Sequence, residues 1–185
     1  MRLEPIDRPP TIKARVAAWM MKRQLGKVIT PARVVYNRVP RMYDVGYALV
    51  KLQQRGLVLD PTTRLLVTSW VAMQNHCSFC VDIARASALI EHVDIEKLTA
   101  LPEWRSSPLF DERERAALAF AEEANRSLTV SEETFEHARK HFSEREVTEI
   151  VILGAVENFY NRLNIPLEIE EDGLCAIQQR RRVHA

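Results

Sequence analysis

Two cysteines three residues apart are the side chains of this sequence best suited to chemistry. Cys77 and Cys80 occur in the segment 75–82, which reads NHCSFCVD. Residues i and i+3 are neighbours on a helix, so the two sulfurs could join in a disulfide. A cysteine in the first turn also lies near the positive end of the helix dipole, which favours the thiolate that attacks peroxides and disulfides. The spacing therefore predicts a two-thiol redox cycle.

His76 and Asp82 flank this pair and are further candidates for catalysis. His76 adjoins Cys77 and could hold a thiolate as an ion pair. A carboxylate at Asp82 would raise the pKa of the Cys80 thiol unless it acts through water or a basic partner. Each residue also has a structural interpretation, His76 as a helix-entry residue and Asp82 in an ion pair with Arg85. We expect both to contribute to the site.

The remaining candidate ligands do not predict a metal or a bound cofactor. A zinc site at the cysteine pair would need two more ligands, and the third cysteine, Cys175, is distant in sequence. His137 and His141 are spaced i, i+4 on a predicted helix, but no third ligand is evident. No nucleotide, flavin or haem motif is visible. We therefore expect neither metal nor cofactor.

Charge is balanced overall but distributed unevenly. The formal net charge of the 185 residues is +1, which argues against a nucleic-acid partner. Residues 1–60 hold 12 Lys and Arg against 4 Asp and Glu, and the remainder holds 14 against 21. A basic front third and an acidic remainder could attract each other, within one chain or between subunits.

The pattern of cysteines and apolar residues favours a soluble cytoplasmic protein. Three cysteines, an odd number, do not form the framework of a secreted disulfide-rich domain. The N-terminal residues lack the apolar segment of a secretory signal. The longest strongly apolar stretch, residues 65–73, is too short to span a membrane.

Hydrophobic periodicity and turn signals predict an all-α protein. No run of residues alternates as a strand would. Asp60-Pro61 is a typical helix start, and two segments have capping-box spacing, Asp111 with Glu114 and Ser143 with Glu146. Predicted helices cover approximately residues 11–28, 40–54, 61–74, 80–90, 94–100, 112–126, 131–141 and 144–163.

Two of these helices have informative faces. The helix after Asp60 is apolar nearly all round, which predicts a central position. The first helix is amphipathic, and its apolar residues lie near one face: Ile12, Val16, Trp19, Met20 and Leu25.

Residues 40–165 resemble the carboxymuconolactone decarboxylase and alkylhydroperoxidase D-like family. The resemblance is carried by the cysteine pair after an apolar helix and by the later stretch PLFDERERAALAFAEEANRSLTVSEETFEHARKHFSEREVTEIVILGAVENFYNRLN. It implies an alkylhydroperoxidase D-like helical bundle that assembles into homo-oligomers. We divide the chain into a basic helical arm (1–39), the family domain (40–167) and a C-terminal arm or tail (168–185).

In the peroxidase branch, the resemblance implies that Cys80 attacks a small hydroperoxide and Cys77 resolves the disulfide, which an external thiol then reduces. That branch also has a glutamate twelve residues before the first cysteine and a histidine four residues after the second. Leu65 and Ala84 occupy these positions. General acid–base help is typically worth about 10²- to 10⁴-fold in rate, so we expect weak peroxidase activity.

Two other functions stay open at this point. A lyase of the decarboxylase type would act on a small carboxylic acid, with Arg64 or Arg162 binding the carboxylate. A non-catalytic oligomeric or redox-sensing protein would use the thiols to set its assembly.

Overall fold

The computed structural model describes residues 1–183, which form nine α-helices and no strand. This confirms the predicted all-α class. The helices are α1 (Ile12–Leu25), α2 (Met42–Lys51), α3 (Pro61–Gln74), α4 (Ser78–Glu91), α5 (Ile95–Ala100), α6 (Glu112–Ser127), α7 (Glu132–His141), α8 (Glu144–Asn164) and α9 (Leu174–Val183). Short π-helical turns at Ala32–Tyr36 and Leu52–Gly56 flank α2. Short 3₁₀ turns occur at Leu101–Glu103 and Ile165–Leu167.

Local capping interactions start the central helices where the sequence predicted. The Asp60 carboxylate accepts a hydrogen bond from the backbone N–H of Thr63, with Pro61 in the first turn of α3. Both predicted capping boxes form, at the starts of α6 and α8. Because each of these signals lies within four residues, it does not depend on the rest of the fold.

Helix α3 is central, and it packs against α4, α6 and α8. One side of α3 contributes Val67 and Val71 to a core shared with α6, α7 and α8. Another side contributes Leu66 to a second core, which includes Leu98 and Leu118. The apolar residues all round this helix are therefore explained by burial on several sides.

The apolar face of α1 does not point into the core. Ala14 and Ala18 are its buried residues. Four of the five apolar side chains of the predicted face, those of Ile12, Val16, Trp19 and Met20, are between 48% and 78% exposed. Small side chains allow a close approach of helices, and α1 meets both α2 and α9. The periodicity predicted the helix, but it did not identify the side that packs within the chain.

The C-terminal segment ties the N-terminal arm to α4. Helix α9 packs against α4 and α1. The Asp172 carboxylate accepts hydrogen bonds from Lys27 Nζ at 2.7 Å and Thr30 N at 2.7 Å. Arg181 donates to backbone carbonyls at the end of α1. Lys27 of the basic arm thus pairs with Asp172 of the acidic remainder within one chain.

Candidate functional site

The cysteine pair lies where α3 ends and α4 begins. His76 has a φ of +57°, and this left-handed residue turns the chain between the two helices. Cys77 is the N-cap of α4, and Cys80 lies in its first turn. The two Cα atoms are 5.2 Å apart, and the sulfurs are joined in a disulfide. Both residues are buried.

Two amides of α8 face the sulfur of Cys80. Asn161 Nδ2 donates to Cys80 Sγ at 3.1 Å, and Asn164 Nδ2 lies 3.5 Å from the same atom. Both asparagines are buried. Hydrogen bonds and the N-terminus of α4 both favour the charged form of this sulfur, so the site can stabilise a Cys80 thiolate in the reduced protein.

A network of amides fixes the orientation of Asn161. Asn75, at the end of α3, donates from Nδ2 to Asn161 Oδ1 at 2.7 Å and to Asn158 Oδ1 at 3.1 Å. Asn158 in turn donates to Asn125 Oδ1 of α6 at 2.8 Å. Because its oxygen is taken by Asn75, Asn161 presents its N–H groups to Cys80.

The second N–H partner of Asn161 is the buried carboxylate of Glu157. Asn161 Nδ2 donates to Glu157 Oε1 at 2.6 Å, one turn earlier on α8. Burial raises the pKa of Glu157 to about 7, and the hydrogen bond from Asn161 opposes that rise only in part. A carboxyl with this pKa can exchange protons near neutral pH.

Sequence reasoning missed Glu157, Asn161 and Asn164 as members of the site. Their spacing of i, i+4 and i+7 places them on one face of α8, and this was the available signal. A polar face on a helix is usually exposed to solvent. Here the polar face contacts Cys80 instead, because α8 packs against α4.

The predicted residues His76 and Asp82 share a cavity of about 540 Å³ with Cys77. Cys80 is not among the residues that line this cavity. His76 is exposed at the cavity. Asp82 is buried, and its two oxygens accept three backbone N–H groups, those of Asp172, Leu174 and Cys175, at 2.8 to 3.0 Å. Asp82 therefore caps the start of α9.

The two positions of the family's relay carry no proton donor. Leu65 is buried in the core around Leu66, and Ala84 is buried on α4.

Within residues 1–183, no group of three or more His, Cys, Asp and Glu side chains could hold a metal ion. In the same range, no helix is both long and apolar enough to cross a membrane.

Comparisons with known proteins agree with the fold. The carboxymuconolactone decarboxylase family matches residues 43–123, which include both cysteines. The protein YnjA of Escherichia coli K12 is 34% identical over 183 residues, covering 98% of this chain and all of YnjA.

Two solved structures share the fold at lower identity. The alkylhydroperoxidase AhpD core of an uncharacterized peroxidase-related protein from Ralstonia eutropha JMP134 is 19% identical, with a TM-score of 0.79 and 93% coverage of each chain. A cysteine-to-alanine variant of the debrominase Bmp8, in complex with 2,3,4-tribromopyrrole, is 20% identical, with a TM-score of 0.82 and coverage of 98% of this chain and 97% of Bmp8.

Proposed function

The chain belongs to the carboxymuconolactone decarboxylase family, and from this premise we propose that it is a thiol-dependent redox protein that reduces small hydroperoxides. The observation that carries the proposal is the disulfide between Cys77 and Cys80 at the start of α4. A dithiol there can deliver two electrons and return to the disulfide.

In the oxidising half of the cycle, the Cys80 thiolate attacks one oxygen of the hydroperoxide. The S–O bond forms, the O–O bond breaks, and the leaving alkoxide takes a proton to become an alcohol. The Cys77 thiolate then attacks the sulfur of the Cys80 sulfenic acid, and hydroxide leaves with a proton as water. The amide contacts of Asn161 and Asn164 with Cys80 support its assignment as the attacking thiolate.

In the reducing half, an external dithiol attacks the disulfide at Cys77. The position of Cys77 in the cavity wall supports this assignment, since Cys80 does not line the cavity. Attack at Cys77 expels Cys80 as a thiolate, which the same two amides stabilise. The second thiol of the reductant then displaces Cys77, and the reductant leaves as a disulfide.

The rate at which hydroperoxide consumes protein thiols tests this cycle. We expect reduced wild type to lose two thiols faster than free cysteine does, in a background in which Cys175 is replaced by serine. Cys80→Ser should be inert, and Cys77→Ser should stop at a sulfenic acid, detectable by intact mass. Oxidation of wild type no faster than that of a free thiol would contradict the peroxidase function.

Reductive dehalogenation is a second candidate, favoured by the full-length match to a debrominase and by the cavity beside Cys77. In this reaction the dithiol would supply two electrons, the carbon would gain a proton, and bromide would leave. Release of bromide from 2,3,4-tribromopyrrole by the reduced protein, lost in Cys80→Ser, would favour this function over peroxide reduction.

The structure lends less support to a lyase. Arg64 is engaged by Glu91, with the two side chains 3.5 Å apart. Arg162 is exposed on α8. Neither arginine lines the cavity beside Cys77. Loss of a small carboxylic acid substrate in the presence of protein lacking both cysteines would nevertheless point to such a lyase.

We also propose that the protein assembles with copies of itself through the exposed apolar face of α1. Trp19 lies at the centre of this face and is 61% exposed in the single chain. Trp19→Glu is expected to convert the assembly to monomers, because a carboxylate at the centre of the apolar face must lose its hydration when the interface forms. Light scattering after size-exclusion chromatography measures this.

The matched control for that change is Leu128→Glu. Leu128 is also exposed, but it lies at the end of α6 and is not part of the α1 face. The control should keep the wild-type mass. A monomeric wild type, or an assembly that survives Trp19→Glu, would contradict the interface.

A further inference from the structure

Glu157 stands apart from the other three buried carboxylates of residues 1–183. Asp82 accepts three backbone N–H groups, Glu114 pairs with Lys97, and Glu149 pairs with Arg145 and accepts two backbone N–H groups. The hydrogen bond of Glu157 comes from the neutral amide of Asn161. No structural pairing therefore explains its burial, since buried carboxylates are ordinarily paired or multiply hydrogen-bonded.

The geometry couples Glu157 to the sulfur of Cys80. One nitrogen, Asn161 Nδ2, donates to Glu157 Oε1 at 2.6 Å and to Cys80 Sγ at 3.1 Å. The carboxylate therefore lies within about 6 Å of the sulfur, a range in which two negative charges raise each other's pKa. The phenol of Tyr160 also interacts with Glu157, but burial raises the pKa of Tyr160, so this phenol stays neutral near pH 7.

We propose that Glu157 and Cys80 share one proton in the reduced protein, and that Glu157 gives this proton to the leaving oxygen of the hydroperoxide. The proposal rests on the peroxidase function set out above. Of the two singly protonated forms, the reactive one has the proton on Glu157 and Cys80 as a thiolate held by Asn161 and Asn164. As the S–O bond forms and the O–O bond breaks, the alkoxide takes the proton from Glu157 and leaves as the alcohol.

Glu157, on α8, would take over the role of the family's relay, whose two positions lie on α3 and α4. Leu65 and Ala84 cannot move a proton. His76 is exposed on the cavity side of Cys77. The oxygens of Asp82 are occupied by the start of α9. Within the site, Glu157 is the remaining acid whose hydrogen-bond partner also contacts the Cys80 sulfur.

The shared proton can be tested without any peroxide. In protein carrying Cys77→Ser and Cys175→Ser, Cys80 is the only thiol, and its ultraviolet thiolate absorbance can be followed against pH. With Glu157 present, we expect ionisation in two coupled steps. Adding Glu157→Gln should leave a single step at lower pH, because the like charge is gone. An identical titration with and without Glu157 would overturn the proposal.

The transfer of the proton is tested by the rate of peroxide reaction in the same proteins. With Glu157 present, the rate should rise and then fall with pH, as Cys80 ionises and Glu157 loses its proton. Glu157→Gln should lower the maximum by about 10²-fold or more and remove the fall at high pH. A slower reaction with the same pH profile would mean a purely structural role and would overturn the transfer.

Glu149→Gln is the matched control, since Glu149 is a buried glutamate two turns earlier on α8 that does not contact Cys80. It should change neither the titration nor the pH profile. If the coupled titration were found but peroxide reacted no faster than with a free thiol, the peroxidase function and the proton transfer would fail. The shared proton would stand.

Discussion

Replacing Asp82 with alanine is expected to lower the free energy of unfolding of the oxidised protein by about 3–5 kcal/mol. The buried Asp82 carboxylate accepts the backbone N–H groups of Asp172, Leu174 and Cys175. Its loss leaves three N–H donors without a partner at the start of α9. Hydrogen bonds to charged groups contribute about 1.5–3 kcal/mol each, and neighbouring bonds are not additive, so the expected total for the three is about 3–5 kcal/mol.

Chemical denaturation, with hydrogen exchange to locate the change, measures this effect. Exchange should accelerate first in the segment 172–183, because this segment depends on Asp82 for its attachment to α4. The matched control is Asp44→Ala, which removes an exposed partner of Lys13 and should change stability by only about 0.5 kcal/mol. Equal effects of the two substitutions would show that Asp82 does not hold α9.

The Asp82 contacts also connect the C-terminal segment to the cavity. Gly173 and Cys175 line the cavity that contains Cys77, and both adjoin residues whose N–H groups Asp82 accepts. Asp172 continues the chain of contacts to Lys27 and Thr30 of the arm. One buried carboxylate thus links the arm, the tail and the wall of the proposed entry site for the reductant.

The sequence predicted the elements of this fold better than the partners within the site. The capping boxes at Asp111 and Ser143 and the Asp60-Pro61 start are local signals, so the helices could be placed without tertiary information. Contacts between Cys80 and α8 join residues more than 80 positions apart. Nothing local indicates them, because a polar face on α8 is equally compatible with exposure to solvent.

The roles predicted for individual side chains differ from their observed contacts because those contacts depend on how distant elements pack. Asp82 was predicted to act on the thiol or to pair with Arg85, and its contacts with residues 172–175 depend on the docking of α9. Trp19 belonged to an apolar face that the single chain leaves exposed. In both cases the residue type was informative, and the missing information was which element packs against it.

Glu157→Gln is expected to stabilise the oxidised protein at alkaline pH and to have little effect near pH 4. Burial raises the pKa of Glu157 from 4.5 to about 7 in the folded state. Between these values the folded protein holds a proton that the unfolded chain has released, so the free energy of unfolding falls as pH rises. Each pKa unit is worth about 1.4 kcal/mol, which gives a full cost of about 3 kcal/mol above pH 7.

Glutamine cannot ionise, so the variant escapes this cost while keeping an oxygen to accept from Asn161. Denaturation of the two proteins across the range from about pH 4 to pH 8 should therefore show curves that separate as pH rises. Glu149→Gln is expected to change the free energy of unfolding in the opposite direction. Burial by itself would raise the pKa of Glu149. Hydrogen bonds from Leu59, Val58 and Arg145 have the larger effect and hold this pKa below its ordinary value.

The stabilising contribution of Glu149 is present above its unfolded pKa and is lost as pH falls, so its removal should destabilise the protein at neutral pH. Curves for Glu157→Gln that run parallel to wild type would mean that Glu157 has the same pKa, about 4.5, in the folded and unfolded states and is ionised in the folded protein at neutral pH. An ionised Glu157 could not donate a proton to a leaving oxygen. The equilibrium measurement on the disulfide form therefore tests the same carboxyl that the kinetic proposal requires.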